Sequence, residues 1–342
     1  MKALAYGGPG INTLEERPQP VCTAPTDAVV RVTHTTICGT DMHILKGDVP
    51  TCVPGRILGH EGVGDVDRIG PAVTKPGDSV LVSRISACGK CVYCRRQMYS
   101  RCTTGGWILG NSIDGTQAEF VRIPHADTSL YPIPANADPE AMVMLSDILP
   151  TGFECGVLNG KVAPGGSVAI VGAGPIGLAA LPTAQFYARG RIIAIDLDDN
   201  RVAVAKAFGA TDCINSADGK AVAVVMALTG GVGVDTAIEA VGIPATFELC
   251  ADIVAPGTAA KVGVHGVPAT LHLERLCSRN VTITTRLVDT ASTPMLLNVL
   301  AAGRIAATRL VTHRFTLDRM IEAYEVFAHA ADTKALKVII AV

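Results

Sequence analysis

The chain has 342 residues, of which 49% are hydrophobic and 18% are charged, and its formal net charge is −2. This length favours two domains, and the near-neutral charge gives no electrostatic basis for binding nucleic acid or an anionic membrane. No apolar run approaches a membrane span in length, and Met1–Pro9 lacks the apolar core of a signal peptide. We therefore expect a cytoplasmic protein whose eleven cysteines are thiols or metal ligands.

The first 80 residues are predicted to be rich in β-structure, because short apolar alternations stand between Gly and Pro residues. The segment Ala28–Thr33 is one such alternation, and Lys75-Pro-Gly-Asp-Ser-Val-Leu-Val predicts a turn followed by a strand. Two short motifs in this region carry cysteine, histidine and acidic side chains. They are Thr36-Ile-Cys38-Gly-Thr40-Asp-Met-His43 and Gly59-His60-Glu61-Gly62-Val-Gly64.

Four cysteines then follow at spacings of two, two and seven intervening residues: Cys88, Cys91, Cys94 and Cys102. Four thiolates at this spacing suit one tetrahedral zinc ion with no open position, which is the pattern of a structural site. An iron–sulfur cluster and four free thiols are the alternatives. Free thiols at this density would be vulnerable to oxidation.

Residues 111–134 return to a β pattern and end in the proline-rich run Tyr131-Pro-Ile-Pro. From Asp138 to Asp147 the pattern is helical. This helical segment leads through Thr151-Gly-Phe to the next predicted strand.

The run Val168-Ala-Ile-Val-Gly172-Ala-Gly174-Pro-Ile-Gly177 predicts a buried strand, a tight turn and a helix. Gly172 allows the turn, Gly174 admits a pyrophosphate close to the backbone, and Gly177 lets the helix pack on the strand. The free N–H groups at the start of that helix attract phosphate. A glycine-rich turn without a ligand is the alternative interpretation.

Asp196 ends the following strand, Ile192-Ile-Ala-Ile-Asp196, nineteen residues after Gly177. A carboxylate at this distance is placed to hydrogen-bond a ribose 2′-hydroxyl. Together the glycine motif and this acid predict a dinucleotide site. Because the acid would repel a 2′-phosphate, NAD is favoured over NADP.

The later part of the chain alternates between helical and strand patterns, which is typical of a doubly wound parallel sheet. A helix is predicted over Asn200–Ala210, ended by Gly209. From Thr293 the pattern is mostly helical, before a terminal strand at Leu336–Val342. The strands predicted between these segments are Val234–Gly242, Ala259–His265 and Val281–Thr285.

These motifs together resemble the zinc-dependent alcohol dehydrogenases of the medium-chain dehydrogenase/reductase family, over essentially the whole chain. Gly59-His60-Glu61, followed by Gly64, Gly70 and Val73, stands at the family's zinc-signature spacing. The resemblance implies an α/β protein with a GroES-like, β-rich catalytic domain at 1–148 and 290–342. A Rossmann domain with a doubly wound parallel sheet would occupy 149–289, with the active site in the cleft between the two domains.

The resemblance also implies a catalytic zinc ion bound by Cys38, His60 and Asp147, with Glu61 as a near or exchangeable ligand. Family members often have Cys at the position of Asp147, and Asp there resembles the secondary-alcohol branch. With the structural site at the four cysteines, two zinc ions per chain are expected. The catalytic ion would keep one open position, and it would lower the pKa of a hydroxyl bound there.

The implied activity is reversible hydride transfer between a primary or secondary alcohol and NAD, giving an aldehyde or ketone. Thr40 would accept the hydroxyl proton and pass it through the nicotinamide ribose, and His43 would release it to solvent. A polyol or amino-alcohol dehydrogenase, a zinc-free quinone or enone reductase and a non-enzymatic nucleotide-binding protein are the alternatives. The family also implies a homotetramer.

The implied cofactor contacts extend beyond the glycine motif. Thr151 would lie against the nicotinamide, and Val262–Val264 would line the far side of the ring. His265 follows that strand and would touch the cofactor, and Lys337 would reach the pyrophosphate. Arg201 would partly offset the repulsion between Asp196 and a 2′-phosphate. The full set is Thr151, Gly172, Gly174, Pro175, Ile176, Gly177, Asp196, Arg201, Val241, Val264, His265 and Lys337.

Overall fold

The structure is a computed structural model that describes residues 1–74, 77–188 and 190–342. The chain divides into two units, Met1–Asp147 with Asp289–Val342, and Ile148–Val288. At each junction the predicted domain boundary lies one residue further along the chain. Among the described helices, none is both long and apolar enough to cross a lipid bilayer.

The strands are numbered in chain order over the described residues. They are β1 (Lys2–Gly8), β2 (Ile11–Glu16), β3 (Ala28–Thr36), β4 (Arg56–Ile57), β5 (Gly62–Ile69), β6 (Ser79–Val82), β7 (Phe120–Ile123), β8 (Leu130–Pro132), β9 (Ser167–Val171), β10 (Arg191–Asp196), β11 (Asp212–Asn215), β12 (Val234–Glu239), β13 (Val254–Lys261), β14 (Thr282–Thr285), β15 (Val311–Thr316) and β16 (Lys337–Ala341).

The α-helices are numbered in the same way. They are α1 (Gly39–Lys46), α2 (Ala126–Ser129), α3 (Pro139–Val143), α4 (Ile148–Thr151), α5 (Pro175–Ala184), α6 (Asp199–Ala207), α7 (Ala221–Leu228), α8 (Pro244–Ile253), α9 (Leu273–Leu276), α10 (Thr293–Ala301), α11 (Met320–Ala328) and α12 (Ala330–Thr333). A π-helix spans Gly152–Leu158, and short 3₁₀ helices span Cys94–Arg96, Tyr99–Arg101, Ala307–Leu310 and Leu317–Arg319.

The first unit is built on a seven-stranded sheet with the order β15-β16-β3-β5-β6-β8, in which β7 also pairs with β3. Its pairs are antiparallel except for β15 with β16. A smaller sheet has the order β2-β1-β4. Alternate residues of β3 such as Val30 and Val32 point into a core with Val80, Val82 and Val121, as expected for strands with period-two burial.

The second unit is a six-stranded parallel sheet with the order β11-β10-β9-β12-β13-β14. Counted from β9, this order is 3-2-1-4-5-6, which is that of a dinucleotide-binding doubly wound fold. The central strands are buried almost throughout, as in Val168–Val171 and Ile192–Ile195. Helices on both faces of a parallel sheet produce such continuous apolar runs.

The turn after β9 depends on glycine at two positions. Gly172 has a φ of 101°, a left-handed conformation that favours glycine. A Cβ atom at Gly177 would lie 1.8 Å from the carbonyl oxygen of Gly172. Only a hydrogen at this position lets α5 begin directly against the turn.

Several predicted elements differ from the structure. The helical pattern of Asp138–Asp147 forms α3 only as far as Val143, and Met144–Asp147 are turns. The strand predicted at Ala259–His265 is β13 at Val254–Lys261, which continues through Pro256 and Gly257. A Cβ atom at Gly257 would lie 2.1 Å from the carbonyl oxygen of Asp235, so glycine serves here for close strand approach and not for a turn.

Two strands are absent from the predicted elements, β11 and β15. β11 contains Asp212, Cys213 and Asn215, and acidic and amide residues are depleted in strands. β15 lies in the tail predicted as mostly helical, and it pairs in parallel with the terminal strand β16. The strand predicted after Lys75 is β6, while Lys75 and Pro76 themselves lie outside the described residues.

Candidate functional site

Strand pairing brings Cys38 and His60 to the same edge of the large sheet. Thr35 of β3 pairs with Gly62 of β5 in antiparallel register. Cys38 follows the end of β3 by two residues, and His60 precedes the start of β5 by two residues. Adjacent antiparallel strands therefore deliver both side chains to one place.

Asp147 reaches this edge through its neighbour Ser146. The backbone N–H of Gly62 donates to Ser146 Oγ at 3.1 Å, and the backbone N–H of Arg84 donates to the carbonyl of Ser146 at 3.2 Å. Ser146 is thus hydrogen-bonded to the first residue of β5 and to Arg84, two residues after the end of β6. This double attachment holds Asp147 beside His60.

The ligand atoms of Cys38, His60 and Asp147 all lie within 4.8 Å of one another. Asp147 Oδ2 is 3.4 Å from His60 Nε2 and 3.8 Å from Cys38 Sγ. With zinc–ligand bonds of about 2.0–2.3 Å, a tetrahedral arrangement separates the ligand atoms by roughly 3.3–3.8 Å. The three side chains therefore fit a zinc ion with one position left for a further ligand.

His60 supports this fit. The side chain is 1% exposed, and neither ring nitrogen has a hydrogen-bond partner among the described atoms. Burial favours the neutral ring, yet Asp147 and Cys38 outweigh it and raise the pKa of His60 to about 10. The negative charge that would hold a proton here also favours a metal cation.

Glu61 and Lys337 form a buried ion pair beside this group. Lys337 Nζ lies 2.5 Å from Glu61 Oε2 and donates to the carbonyl of Ile37 at 3.3 Å. The two side chains are each 1% exposed. Glu61 is outside the three-ligand cluster, and burial raises its pKa despite Lys337.

Lys337, which the family resemblance places at a cofactor pyrophosphate, has its ammonium group at Glu61 in this structure. Its ammonium group belongs to the β-rich unit, because β16 pairs with β3 and places Ile339 opposite Thr36. A buried ammonium needs a charged partner, and Glu61 supplies it. The terminal strand thus contributes to the surroundings of the proposed metal ligands.

The four cysteines of the lobe 88–102 also converge. Their sulfur atoms lie within 4.8 Å of one another. The backbone N–H groups of Cys88, Cys91 and Cys94 point at the sulfur atoms of Cys102, Cys88 and Cys91, at 3.2, 3.4 and 3.5 Å. Such N–H contacts favour thiolates, as a closed tetrahedral zinc site requires.

The lobe thiols differ in pKa. Backbone N–H groups of Cys94 and Thr103 lower the pKa of Cys91 to about 5. Burial raises the pKa of Cys94 to about 12. A divalent cation at the centre would allow all four sulfur atoms to be thiolates, since metal binding displaces the thiol protons.

Thr40 and His43 lie on α1, which begins directly after Cys38. The carboxylate of Asp41 accepts a hydrogen bond from the backbone N–H of Cys38 at 2.8 Å, which fixes the start of the helix. Thr40 Oγ1 is 3.7 Å from Cys38 Sγ, and His43 Nδ1 is 2.8 Å from Asp48 Oδ2 at the protein surface. Residues three apart share one helix face.

A cavity of about 530 Å³ lies at the carboxyl ends of β9, β10 and β12. In an open doubly wound sheet, ligands bind where the strand order reverses, and here that point falls between β9 and β12. Five residues of the predicted cofactor set line this cavity: Gly172, Gly174, Asp196, Arg201 and Val241.

Asp196 presents a fixed carboxylate in this cavity. Its Oδ2 accepts the backbone N–H of Ala173 at 2.7 Å, and its Oδ1 accepts those of Leu197 and Asp198 at 2.8 and 3.1 Å. Three backbone donors therefore hold the negative charge at the end of β10. Arg201, on α6, lines the same cavity.

Apart from Lys337, the remaining members of the cofactor set lie elsewhere in the second unit. Pro175, Ile176 and Gly177 form the first turn of α5. Thr151 is buried at the end of α4. Two further members follow β13: Val264 is 57% exposed, and His265 Nε2 lies 3.4 Å from Glu239 Oε2.

Arg84 and Trp107 are the site residues that the sequence analysis missed. Arg84 Nη1 lies within 2.9 Å of both carboxylate oxygens of Asp147, and its guanidinium lies 5.3 Å from the centre of the Trp107 ring. Trp107 makes an edge contact with His60 at 6.3 Å. The available signal was a single charge inside the otherwise uncharged run Ser79–Ala87.

Comparison with known proteins identifies the family. Residues 24–135 match the alcohol dehydrogenase GroES-like domain, and residues 175–302 match the zinc-binding dehydrogenase domain. The chain is 38% identical to an alcohol dehydrogenase of Cupriavidus necator, over 97% of this chain and 96% of that protein. The chain belongs to the zinc-dependent medium-chain alcohol dehydrogenases. The predicted family, fold class and alcohol oxidoreductase activity are confirmed.

Two further relatives bear on this dehydrogenase. A solved structure of zinc dependent alcohol dehydrogenase 2 from Streptococcus pneumoniae, in its apo form, matches with a TM-score of 0.95 and 53% identity. The match covers 100% of this chain and 98% of that chain. An NADP-dependent isopropanol dehydrogenase of Thermoanaerobacter brockii is 35% identical over 88% of each protein.

The lobe generates the first prediction. Cys94→Ser should remove one zinc ion per chain and lower the melting temperature, because a structural zinc ion contributes folding free energy. A loss of only about 2 kcal/mol lowers Tm by roughly 4–8 °C in a unit of this size. Elemental analysis and calorimetry measure the two effects. Cys22→Ser, a half-buried thiol outside both clusters, is the control. Unchanged zinc content and Tm in Cys94→Ser would contradict a structural role.

Proposed function

We propose that this dehydrogenase oxidises alcohols with NAD as the hydride acceptor and uses a catalytic zinc ion held by Cys38, His60 and Asp147. The observation that carries the proposal is the convergence of these sulfur, nitrogen and oxygen donors within 4.8 Å. Zinc-free quinone and enone reductases of the same fold lack this ligand set. The substrate class is a small alcohol or the corresponding carbonyl compound.

When bound, zinc supplies the Lewis acidity that lowers the pKa of an alcohol hydroxyl, so that hydride leaves more readily. The residues of α1 then handle the proton. Thr40, buried and close to Cys38 Sγ, accepts it. His43 releases it to solvent, and its contact with Asp48 orients the ring with Nε2 turned away from that carboxylate.

The choice of NAD over NADP rests on Asp196. Its carboxylate is fixed by backbone N–H groups inside the cavity at the strand-order reversal. There it would accept hydrogen bonds from the adenosine ribose hydroxyls, whereas a 2′-phosphate would meet a charge of the same sign. Family members differ in this cofactor preference, since the T. brockii relative is named as NADP-dependent.

We also propose a cytoplasmic homotetramer. Strand β14 ends the order of the six-stranded sheet, and Thr282 and Thr285 at its ends are exposed. An exposed sheet edge is a template for pairing with a second copy, and two-fold pairing is the commonest symmetry of oligomers. Two such dimers would form the tetramer.

The activity test uses the zinc-loaded protein with a panel of primary and secondary alcohols and NAD, followed by NADH absorbance. Cys38→Ser should lower kcat/KM by more than about a hundredfold, since loss of a ligand exceeds the 10–100-fold cost typical of outer-shell changes. Cys52→Ser is the control, because Cys52 is a buried thiol outside both clusters. Full activity in Cys38→Ser would refute the proposed ligand set.

The cofactor test compares kcat/KM for NAD and NADP. Like unit charges 4 Å apart repel by about 4 kcal/mol at an effective dielectric of about 20. If 2–3 kcal/mol of that repulsion survives screening, NAD is preferred on the order of a hundredfold. Asp196→Gly and Asp196→Asn should both shrink the preference.

Asp198→Asn should leave the cofactor preference unchanged. The Asp198 side chain caps α6 by accepting from the N–H of Asn200 at 2.7 Å, and Asp198 is not among the residues that line the cavity. A parent enzyme that prefers NADP, or a preference unaffected by both Asp196 substitutions, would show that Asp196 does not contact the ribose.

The assembly test is light scattering at micromolar concentration, where a tetramer has about 142 kDa, four times the 35.4 kDa chain. The double variant Thr282→Lys and Thr285→Lys should separate the two copies that pair through β14, because lysines on an edge strand oppose edge-to-edge contact. Thr13→Lys, on the exposed strand β2, should stay tetrameric. A monomeric parent would refute the proposed tetramer and would leave the proposed activity unaffected.

A further inference from the structure

Arg84 is a buried cation bonded directly to a proposed zinc ligand. The residue lies two positions after β6 and is 6% exposed. Its Nη1 donates to Asp147 Oδ1 at 2.9 Å and to Asp147 Oδ2 at 2.8 Å. The pair is buried, with 8% of the Arg84 side chain and 1% of the Asp147 side chain exposed.

The contact with Oδ2 matters because the same oxygen faces the other two ligands. Asp147 Oδ2 lies 3.4 Å from His60 Nε2 and 3.8 Å from Cys38 Sγ. A zinc ion between these atoms would therefore draw on an oxygen that already accepts a hydrogen bond from Arg84. The metal and the guanidinium share one carboxylate.

Apart from Asp147, the guanidinium is also attracted by the negative charges of Cys38 and Glu61. It lies over the Trp107 ring at 5.3 Å, and Arg84 Nε has no hydrogen-bond partner within the described part of the chain. A buried charge is costly unless it is paired. Asp147 is thus the principal partner of Arg84.

We propose that Arg84 acts as the counter-ion of Asp147 before the metal binds, and that it thereby weakens the binding of catalytic zinc. The inference rests on the proposed ligand set of Cys38, His60 and Asp147. It adds that this chain holds its catalytic ion less tightly than the same ligands would without Arg84.

Zinc and Arg84 interact with the same carboxylate, so the two interactions are thermodynamically linked. Without metal, Arg84 stabilises the buried charge of Asp147. With metal, the carboxylate has a second cation, and the two positive charges repel each other. Arg84 therefore stabilises the metal-free state more than the metal-loaded state, and anything that does so lowers metal affinity.

Trp107 provides the probe for the test. It is the single tryptophan of the chain, and its ring lies 6.3 Å from that of His60. Cobalt(II) can replace zinc in such sites, and a paramagnetic ion this close quenches indole fluorescence. The quenching phase that disappears in Cys38→Ser reports the catalytic site and not the lobe.

The experiment first measures the rate at which loaded protein releases the catalytic metal into excess chelator. Competition between zinc and cobalt then gives the relative affinity for zinc. The variants are Arg84→Gln and Arg84→Met, which remove the charge, and Arg84→Lys, which keeps it. Arg122→Gln is the matched control, because Arg122 pairs with the buried Asp27 at 3.0 Å, far from both clusters in sequence.

In Arg84→Gln and Arg84→Met, release should slow and zinc should bind more tightly by about tenfold or more, within the range of outer-shell effects on metal sites. The Tm gained on adding zinc should also increase. Arg84→Lys should stay closer to the parent than either neutral variant. The lobe zinc should be unaffected throughout, and Arg122→Gln should bind zinc like the parent.

Unchanged or faster release in both neutral variants, with the lobe zinc retained, would overturn the inference and assign Arg84 to orienting Asp147. Because release starts from loaded protein, the test does not require the metal-free variant to fold. A parent that holds only the lobe zinc would refute the ligand set itself. If the parent holds two zinc ions and releases its catalytic metal at the same rate as the neutral variants, the role of Arg84 is rejected and the ligand set stands.

Discussion

The pairing of β5 with both β3 and β6 is the constraint on which the metal site depends. It aligns Thr35 with Gly62 and Gly62 with Val82, so the ends of three strands meet at one edge. Cys38, His60 and Arg84 each lie two residues beyond those ends. Hydrogen bonds between Ser146 and the same edge then add Asp147, so one short stretch of backbone pairing assembles the whole group.

Two buried ion pairs lie at this group of residues. Lys337 pairs with Glu61 and Arg84 pairs with Asp147, and each pair places one cation beside the proposed ligands. Buried pairs contribute little net stability, because desolvation offsets most of their attraction. Their effect is local: they set the electrostatic potential that a metal ion meets, and so bear on how tightly it is held.

The second unit carries the predicted dinucleotide site, which depends mainly on backbone geometry. A dinucleotide needs phosphate donors, close backbone approach and one carboxylate at a set distance. The strand order and the turn after β9 supply all three at the ends of β9, β10 and β12. Asp196 needs no side-chain partner, because three backbone N–H groups hold it.

Local spacing by itself determined the glycine turn and the cysteine lobe, because each relies on residues close in sequence, whereas the pair Cys38 and His60 came from the family resemblance of their motifs. Tertiary structure alone decided the partners of Asp147 and Glu61. Arg84 lies 63 residues from Asp147, and Lys337 lies 276 from Glu61, and no periodicity links residues so far apart. Strands β11 and β15 likewise form through pairing with β10 and β16, since sheet context outweighs weak strand propensity.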